Sequence, residues 1–510
     1  MEKRLLLSTV LSIIIITLWY ILMPKQQNVQ PPDKKNQEIT KKAEKNAAEP
    51  KSFNTSSTSP ASISTEDYVI ETNSVKVIFN NLGARIKHWY VKEGNNPIKW
   101  PDLALQSNGK YLDTYPDLLF KVANRSENSI AFYGTTGGLK ISKTYQLSED
   151  GLNKLIVEIT NTSSRNEPFE IYWGPGIGSD LKNMKEEKSI SRVVAIKKMN
   201  SGYTLTKIKN SSIDPKEYIW AGIDNRYFAT VVSCAQFDSI NVNKGTEKGL
   251  FELTFSANDS IKGNSKTSFD IDFYTGVKSY DKLKKLNSGL EETIDFGFFK
   301  PLSKFAFVSL KFFYKLTHNY GMSIIIITII LQIVLYPLSI KSFQASKAMK
   351  TLQPKMKELQ EKYKNDPKRL NVETMNLYKT QKTNPLGGCL PMIAQLPIFW
   401  ALFTTLRNIY ELRGAPFVWW IKDLSTPDLL FTIGQLPIRI LPLLMGVTMF
   451  LQQKLSGMSA DPSQKSLAYI MPVIFTFIFW NFPAGLVLYW LVNSILTLMS
   501  QSIMLNKRSE

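Results

Sequence analysis

Residues 322–363 read MSIIIITIILQIVLYPLSIKSFQASKAMKTLQPKMKELQEKY, an uncharged apolar run that turns basic at Lys341. The first part, 322–340, is close to the length of about 20 apolar residues that crosses bilayer hydrocarbon as one helix. The second part carries Met349, Leu352, Met356, Leu359 and Tyr363 at alternating intervals of three and four, the spacing of an apolar stripe on a helix. A span followed by a basic amphipathic segment predicts a membrane protein, and the remaining questions are how many spans there are and which way they face.

Further apolar runs occur at about 390–410, 436–453 and 486–505, with a shorter one at 467–482. Near the start, residues 5–22 (LLLSTVLSIIIITLWYIL) follow Lys3 and Arg4 and close on Trp19 and Tyr20, an interfacial pair. A cleaved signal peptide would share that pattern, but Met23, Pro24 and Lys25 offer no small-residue cleavage site, so 1–24 reads as an uncleaved anchor. Six transmembrane helices are therefore predicted, five of them in a C-terminal core at 321–510. Residues 25–65 are rich in Lys, Gln, Asn, Ser, Thr and Pro and read as a flexible linker.

The position of the charge fixes orientation. The chain has 62 Lys and Arg against 43 Asp and Glu, a formal charge of +19, which by itself suits nucleic acid or an anionic membrane. Residues 61–297 are nearly balanced, with 30 basic and 29 acidic side chains, whereas 298–510 hold 23 against 9, placed between the apolar runs. That distribution predicts a membrane partner and no direct contact with nucleic acid. Counting from a cytoplasmic N-terminus, 342–384 falls inside, and it carries eleven Lys or Arg with Lys341 included, as the positive-inside rule asks.

From 66 to 297 the period changes to two. Leu155, Val157 and Ile159 alternate with Ile156, Glu158 and Thr160, and Phe269, Ile271 and Phe273 alternate with polar residues; Asn80-Asn81, Gly137-Gly138 and Asp150-Gly151 mark turns. An antiparallel β-sandwich outside the membrane is expected. Residues 298–320 then place Phe305, Val308, Phe312 and Leu316 against Lys304, Lys311 and Lys315, the pattern of a helix lying in the interface.

Two constellations invite a function, and each has a plainer reading. The apolar stripe of 342–384, continued by a second helix from Pro367 with Met375 and Tyr378, is either a solvated connector or a docking platform whose Met-rich face suits variable partners such as nascent chains, ribosomes or targeting factors. Inside the spans, Thr328 and Gln332 lie one turn apart, Gln395 precedes Pro397, and Trp490, Asn493, Ser494 and Thr497 form a stripe; these either hydrogen-bond between helices or line a wet groove. Two cysteines, Cys234 and Cys389, and two histidines, His88 and His318, fit no metal-binding spacing, so no metal or cofactor is predicted. No Walker A motif and no intramembrane chain of Asp or Glu is present, which leaves the client's own partition free energy as the driving force and predicts no enzyme.

The C-terminal third resembles the YidC/Oxa/Alb family of membrane protein insertases. The stretches that carry the likeness are YPLSIKSFQASKAMKTLQPK from Tyr336, NPLGGCLPMIAQLPIFWALF from Asn384, APFVWWIKDLS from Ala415, PLLMGVTMFLQQK from Pro442 and MPVIFTFIFWNFPAGLVLYWLVNS from Met471. With anchor, linker and large external domain, the chain looks like the Gram-negative form, whose place is the bacterial inner membrane. The resemblance implies five core spans around a hydrophilic groove, open to cytoplasm and lipid and closed to the outside. Nascent membrane proteins would pass through it, alone or beside the Sec translocon, delivered by the ribosome or signal recognition particle machinery. It also implies substrate contacts at Thr328, Gln395, Leu396, Pro397, Phe399, Tyr489 and Trp490. Gln332 stands where the family usually carries a groove arginine. A buried arginine costs about 2.5–3.5 kcal/mol on insertion scales, so Gln332 keeps the hydrogen bonding and drops the charge.

Two rival functions follow from the same residues. The sandwich is similar to the sugar-binding folds related to galactose mutarotase, which would make the chain a membrane-anchored carbohydrate-binding or carbohydrate-processing protein, but no carboxylate pair can be assigned to such chemistry. A channel or transporter lacks its usual inverted repeats and ion-lining acids. One further expectation concerns the bilayer: the 467–482 span has only about 16 apolar residues before Asn481 and Pro483, which predicts local thinning of the membrane.

Overall fold

The computed structural model describes residues 65–91, 110–149, 151–177, 190–245, 250–381, 383, 390–456 and 462–506. The expected anchor and linker, and residues 384–389 with Cys389, lie outside the described residues.

The first half of the sandwich consists of β1 (Asp67–Glu71), β2 (Val75–Asn80), β3 (Arg85–Val91), β4 (Lys110–Asp113), β5 (Lys121–Arg125), β6 (Ser129–Thr136), β7 (Leu139–Gln146), β8 (Asn153–Asn161) and β9 (Glu167–Gly174). The second half adds β10 (Arg192–Met199), β11 (Gly202–Ile208), β12 (Ser212–Ile213), β13 (Trp220–Asp224), β14 (Phe228–Ser233), β15 (Ser239–Lys244), β16 (Phe251–Ile261) and β17 (Ser265–Val277). One sheet runs β1-β2-β3-β4-β9-β16-β15-β12 and the other β11-β10-β13-β14-β17-β8-β7-β6-β5. Neighbouring strands are antiparallel, as in the β8–β17 register that sets Val157 opposite Phe269. The alternation read from sequence is the alternation observed: Leu155, Val157 and Ile159 are buried between the sheets with Phe79, Trp89, Phe269 and Ile271. The β6–β7 turn places Gly137 and Gly138 at φ +56° and +83°, the paired left-handed conformation that a two-residue hairpin demands.

A polar clip joins the two sheets through this core. Lys143 of β7 is fully buried, and its ammonium donates to the carbonyls of Gly83 at 3.0 Å and Leu112 at 2.9 Å. The Tyr145 hydroxyl donates to the carbonyl of Ala84 at 2.8 Å. Ala84 and Leu112 sit at φ +43° and +53°, strained for residues with a side chain, so two groups of one sheet hold left-handed backbone of the other. Burial pulls the Lys143 ammonium down to about 8 against the opposing charge of Asp113.

The outer face of the second sheet is covered as well. Val194, Ile196, Trp220, Val231 and Tyr274 join one apolar cluster with Leu283 of α1 (Tyr280–Lys285), Phe296, and side chains of the helical part. Beside it runs an ion network. Arg192 donates from Nε and Nη2 to Asp224 at 2.7 and 3.1 Å and from Nη1 to Asp295 at 2.9 Å, while buried Lys278 meets Asp224 at 2.9 Å. The Asn408 amide donates to the Asp295 carbonyl at 2.8 Å, and Arg413 lies over the rings of Tyr227 and Phe228. Glu411 accepts from Ser279 Oγ and Tyr280 N, both at 3.2 Å, so the segment at 407–413 grips the sandwich and caps α1.

α2 (Lys300–Thr317) buries Ser303, Ala306, Phe307 and Leu310 against the protein. Its opposite face presents Phe305, Val308, Phe312 and Leu316 outward, 58–68% exposed. Lys300, Lys304, Lys311 and Lys315 form a ridge along one flank between the two faces, a consequence of 100° steps around the helix. Three of them are paired with acidic groups that precede the helix: Lys300 and Lys304 with Glu292, and Lys311 with Asp281.

The remaining helices are α3 (Tyr320–Thr351), α4 (Gln353–Lys362), α5 (Pro367–Thr380), α6 (Leu390–Asn408), α7 (Ile440–Ser456), α8 (Pro462–Phe479) and α9 (Ala484–Asn506). Among the described residues two stretches are long and apolar enough to cross a membrane, Tyr320–Ala345 and Ala484–Met504, with shorter apolar helices at Ile440–Leu455 and Tyr469–Phe479. Two sequence readings are corrected. The run expected at 436–453 becomes helical only at Ile440, because Leu436–Ile438 is a strand paired with Phe431–Ile433 across a Gly434-Gln435 turn. The stripe from Met349 to Tyr363 is not one helix: Pro354 lacks the N–H that would continue α3, so the helix stops at Thr351 and a new one starts at Gln353. Met349 therefore lies in the last turn of α3, buried Leu352 lies at the break, Met356 and Leu359 ride on α4, and Tyr363 follows it.

The ion network makes a pH prediction. Burial opposes the charge on Asp295, but hydrogen bonds and charge from Arg192, with the Gly297 N–H and Lys207, outweigh it and hold the carboxyl well below its ordinary 3.8. A depressed folded-state value stabilises fully above the unfolded value and is lost as pH falls below it. Thermal melts of the full chain in detergent are expected to lose less midpoint temperature below about pH 4 in Asp295→Asn than in the parent. Equal acid slopes would contradict the assignment.

Candidate functional site

Between Tyr320 and Ile340 of α3, across α6 to Leu406, and throughout α9, the chain has no charged residue. α9 packs against α3 and α7, α2 lies across α3 and α6, α8 leans on α7, and α6 reaches both α3 and α9. Burial along this bundle is graded. At the end nearest the sandwich, Ser323, Ile324, Ile327 and Thr328 of α3, Ala401, Leu402, Thr405 and Leu406 of α6, and residues 484–489 of α9 are buried. Toward the end that carries α4 and α5, Ile333, Val334 and Tyr336, then Ile393 and Leu396, then Ile495, Met499 and Ile503 are exposed. The described side chains are closely packed at one end of the bundle and left largely uncovered at the other, the splayed end.

The polar side chains singled out in the sequence fall on either side of this boundary. Thr328 is in the closed half, 1% exposed, and its hydroxyl donates to the Ile324 carbonyl one turn back at 2.7 Å. It therefore does not partner Gln332, despite the one-turn spacing. Gln332 instead reaches across to α9, its amide donating to Thr497 Oγ1 at 3.0 Å, while Thr497 donates to the Asn493 carbonyl at 2.8 Å. Gln395 of α6 donates to the Tyr489 hydroxyl at 3.3 Å, and Tyr489 is buried. Gln332, Gln395, Asn493 and Thr497 are half-buried, Ser494 is buried, Leu396 is exposed, and Pro397 stands inside α6. These amides and hydroxyls ring the boundary and carry no net charge.

Below them lies an aromatic floor. Trp490 meets Phe399 edge-on with centroids 5.0 Å apart, Phe479 at 5.2 Å, and Phe475 in a stacked arrangement at 6.1 Å. Phe403 continues the layer to Phe482 at 5.8 Å. Rings in contact on three helices make a packed aromatic layer, in which Phe479 is buried and Phe399, Phe403, Phe475 and Trp490 are half-buried.

At the splayed end, α4 and α5 form a helical pair. Tyr363 sits between two cations, with Lys362 Nζ at 5.5 Å and Arg369 Cζ at 5.6 Å from its ring centroid. Met356 and Leu359 are half-buried, and the apolar side chains that face outward are Val372 and Met375 of α5. Val372 was absent from the sequence reading, although its spacing of three from Met375 is the signal that finds it. Among the described residues no group of three or more His, Cys, Asp or Glu is arranged to hold a metal ion.

The family model described as 60Kd inner membrane protein matches residues 312–510, and the one described as YidC periplasmic domain matches 102–309. A membrane protein insertase YidC from Endomicrobium trichonymphae is 42% identical over 86% of this chain and 85% of its own length. Its counterpart from Geotalea daltonii is 36% identical over 98% of both chains. The crystal structure of an active YidC insertase with its first transmembrane domain resolved is 19% identical, covers 85% of this chain and 91% of its own, and gives a TM-score of 0.40. Relatives of this identity and coverage, over an external β-sandwich and an uncharged, one-end-open helical bundle, establish that the chain belongs to the YidC family of membrane protein insertases.

Proposed function

We propose that the splayed half of the bundle is a groove through which nascent membrane proteins enter the lipid bilayer. One observation carries this reading: a tightly buried end and an exposed end meet at a ring of uncharged amides and hydroxyls. A polar client segment drawn to that ring exchanges water for Gln332, Gln395, Asn493 and Thr497 before it reaches hydrocarbon, which lowers the desolvation barrier. The aromatic floor of Phe399, Phe479 and Trp490 stops water and ions from passing through, and buried Tyr489 holds Gln395 beside it. Exposed Leu396 and half-buried Pro397 add client contacts to the ring, and buried Thr328 and Ser494 back its walls. No nucleotide is consumed, and the chain acts as an insertase and chaperone rather than as an enzyme.

The same reading orients the molecule in the bacterial inner membrane. The sandwich lies in the periplasm, α2 lies in the outer interface with its apolar face in lipid, and the basic α4–α5 pair lies in the cytoplasm as a helical hairpin, with six spans counting the N-terminal anchor. Met349, Leu352, Met356, Leu359 and Tyr363 brace that hairpin, and its basic surface receives the ribosome or signal recognition particle machinery. The Sec translocon and membrane lipids complete the set of partners. The apolar run at 467–482 has about 16 residues, short of the roughly 20 that cross hydrocarbon, which favours a locally thinned bilayer.

Purified protein in liposomes is expected to accelerate insertion of a simple one-span polypeptide without nucleotide. Gln332→Leu is expected to slow it by roughly three- to tenfold, the size of one hydrogen-bonding group at about 0.6–1.4 kcal/mol. Clients with acidic and neutral tails should insert alike; a strong acidic preference that Gln332→Leu abolishes would defeat the charge-free groove. A double-mutant cycle between Gln332→Ala and Thr497→Ala, read by unfolding in mixed micelles, should give a coupling near 0.6 kcal/mol and below about 1.7 kcal/mol. A coupling of zero would remove the α3–α9 bond from the account.

A further inference from the structure

Between the end of α6 and the start of α7, the chain forms a small antiparallel hairpin of β18 (Phe431–Ile433) and β19 (Leu436–Ile438). Phe431 pairs with Ile438 and Ile433 with Leu436 across the turn, where Gly434 takes φ +61°. Period-two alternation puts those four apolar side chains on one face and Thr432 and Pro437 on the other. The apolar face is open: Ile433 is 63% and Leu436 59% exposed. No charged residue occurs between Leu429 and Ile438. A two-stranded hairpin of this length is marginal in water and gains nothing there from an uncovered apolar face.

Its base is nevertheless fixed. The Arg439 guanidinium donates to the Trp480 carbonyl and, at 2.6 Å, to Asn481 Oδ1, both in the turn between α8 and α9. The buried Asp428 carboxylate accepts from the Leu441 N–H at 3.0 Å, and Leu430 N donates to the Ile438 carbonyl at 3.0 Å. The hairpin thus projects from a rigid root at the sandwich end of the bundle.

We propose that this hairpin is a membrane-dipping element whose apolar face lies in the headgroup and acyl boundary of the sandwich-side leaflet, with a lipid surface as its partner. Composition selects lipid over a protein: the hairpin carries no charged residue, and the helix that follows it in the chain, α7, leaves Leu443, Leu444, Val447 and Leu451 exposed in turn, without the charged rim that a protein interface carries. Chemistry also limits its depth. The hairpin has two open edges whose N–H and C=O groups need water, so it stays within about 5–10 Å of the surface and keeps Thr432 and Pro437 toward the headgroups. Seated there, it fixes the membrane level at α7 and α8, the helices whose apolar stretches are short. The proposal rests on the reading that α7 crosses the bilayer, and the test separates the two.

Single cysteines at Ile433, Leu436, Val447 of α7 and Lys216 on the sandwich surface are labelled with an environment-sensitive fluorophore in the full chain carrying Cys389→Ser and reconstituted in phosphatidylethanolamine–phosphatidylglycerol liposomes; Cys234 is buried and stays unlabelled. Labels at Ile433 and Leu436 are expected to be quenched about threefold more by a lipid nitroxide near the headgroup than by aqueous iodide. Val447 should respond best to a nitroxide at the chain end and Lys216 to iodide alone. Iodide quenching at Ile433 and Leu436 equal to that at Lys216, with Val447 still quenched from lipid, overturns the hairpin proposal alone. Iodide quenching at Val447 overturns the span reading beneath it. Shielding of Ile433 and Leu436 from both quenchers means that protein covers the face, and also overturns the proposal.

Discussion

Water is absent from the middle of a bilayer, so every amide and hydroxyl placed there must find a partner inside the protein or in whatever passes by. The helical half of this chain is arranged around that constraint. Where the helices meet closely, Thr328 turns its hydroxyl back on the Ile324 carbonyl of its own helix, and buried Thr405 gives its hydroxyl to the carbonyls of Ser303 and Ala401. Where they part, Gln332 and Gln395 each spend one bond on a neighbouring helix and keep unused hydrogen-bonding capacity. A glutamine amide has four such sites, and a single long-range bond leaves the others available to water or to a client.

The external half contributes position. Its second sheet is buried on both faces, against the first sheet and against α1 and the helices, so the sandwich is built into the insertase rather than tethered to it. The grip at 407–413 comes directly after α6, the helix that carries Gln395 and Phe399, and it joins Arg413 to Tyr227 and Phe228 and Glu411 to the start of α1. Burial raises the Glu411 carboxyl above its usual range while the N–H of Tyr280 and the Ser279 hydroxyl pull the other way. A half-satisfied buried carboxylate of this kind holds well only when its neighbours are fixed, which makes the joint stiff.

Much of this was legible in the sequence, for identifiable reasons. Period-two alternation at Leu155, Val157 and Ile159 is a local signal and survived into β8 unchanged, and the two-glycine turn at Gly137 chose its own conformation. The polar stripe of Asn493, Ser494 and Thr497 was visible because few polar residues interrupt α9. What sequence missed depends on pairing between distant segments or on one residue breaking a pattern. The spacing of Thr328 and Gln332 put both on one helical face and left a bond between helices open, but not that its partner would be Thr497, 165 residues away. The stripe from Met349 to Tyr363 kept its rhythm through Pro354, where the backbone did not. The strand before α7 looked helical because a short apolar hairpin and a helix share composition; only Gly434 and Pro437 told them apart.

The lysine ridge of α2 has a bearing on where such a protein can work. Lys300, Lys304 and Lys311 already hold Glu292 and Asp281, acids supplied by the segment just ahead of the helix. In the interfacial seat proposed for it, the helix meets the membrane with two of its four positive charges balanced from within, so its grip leans more on the contrast between oil and water than four free lysines would allow. A cell that changes its proportion of acidic phospholipids, or lives at high ionic strength, shifts that seat by the two unbalanced charges rather than by four.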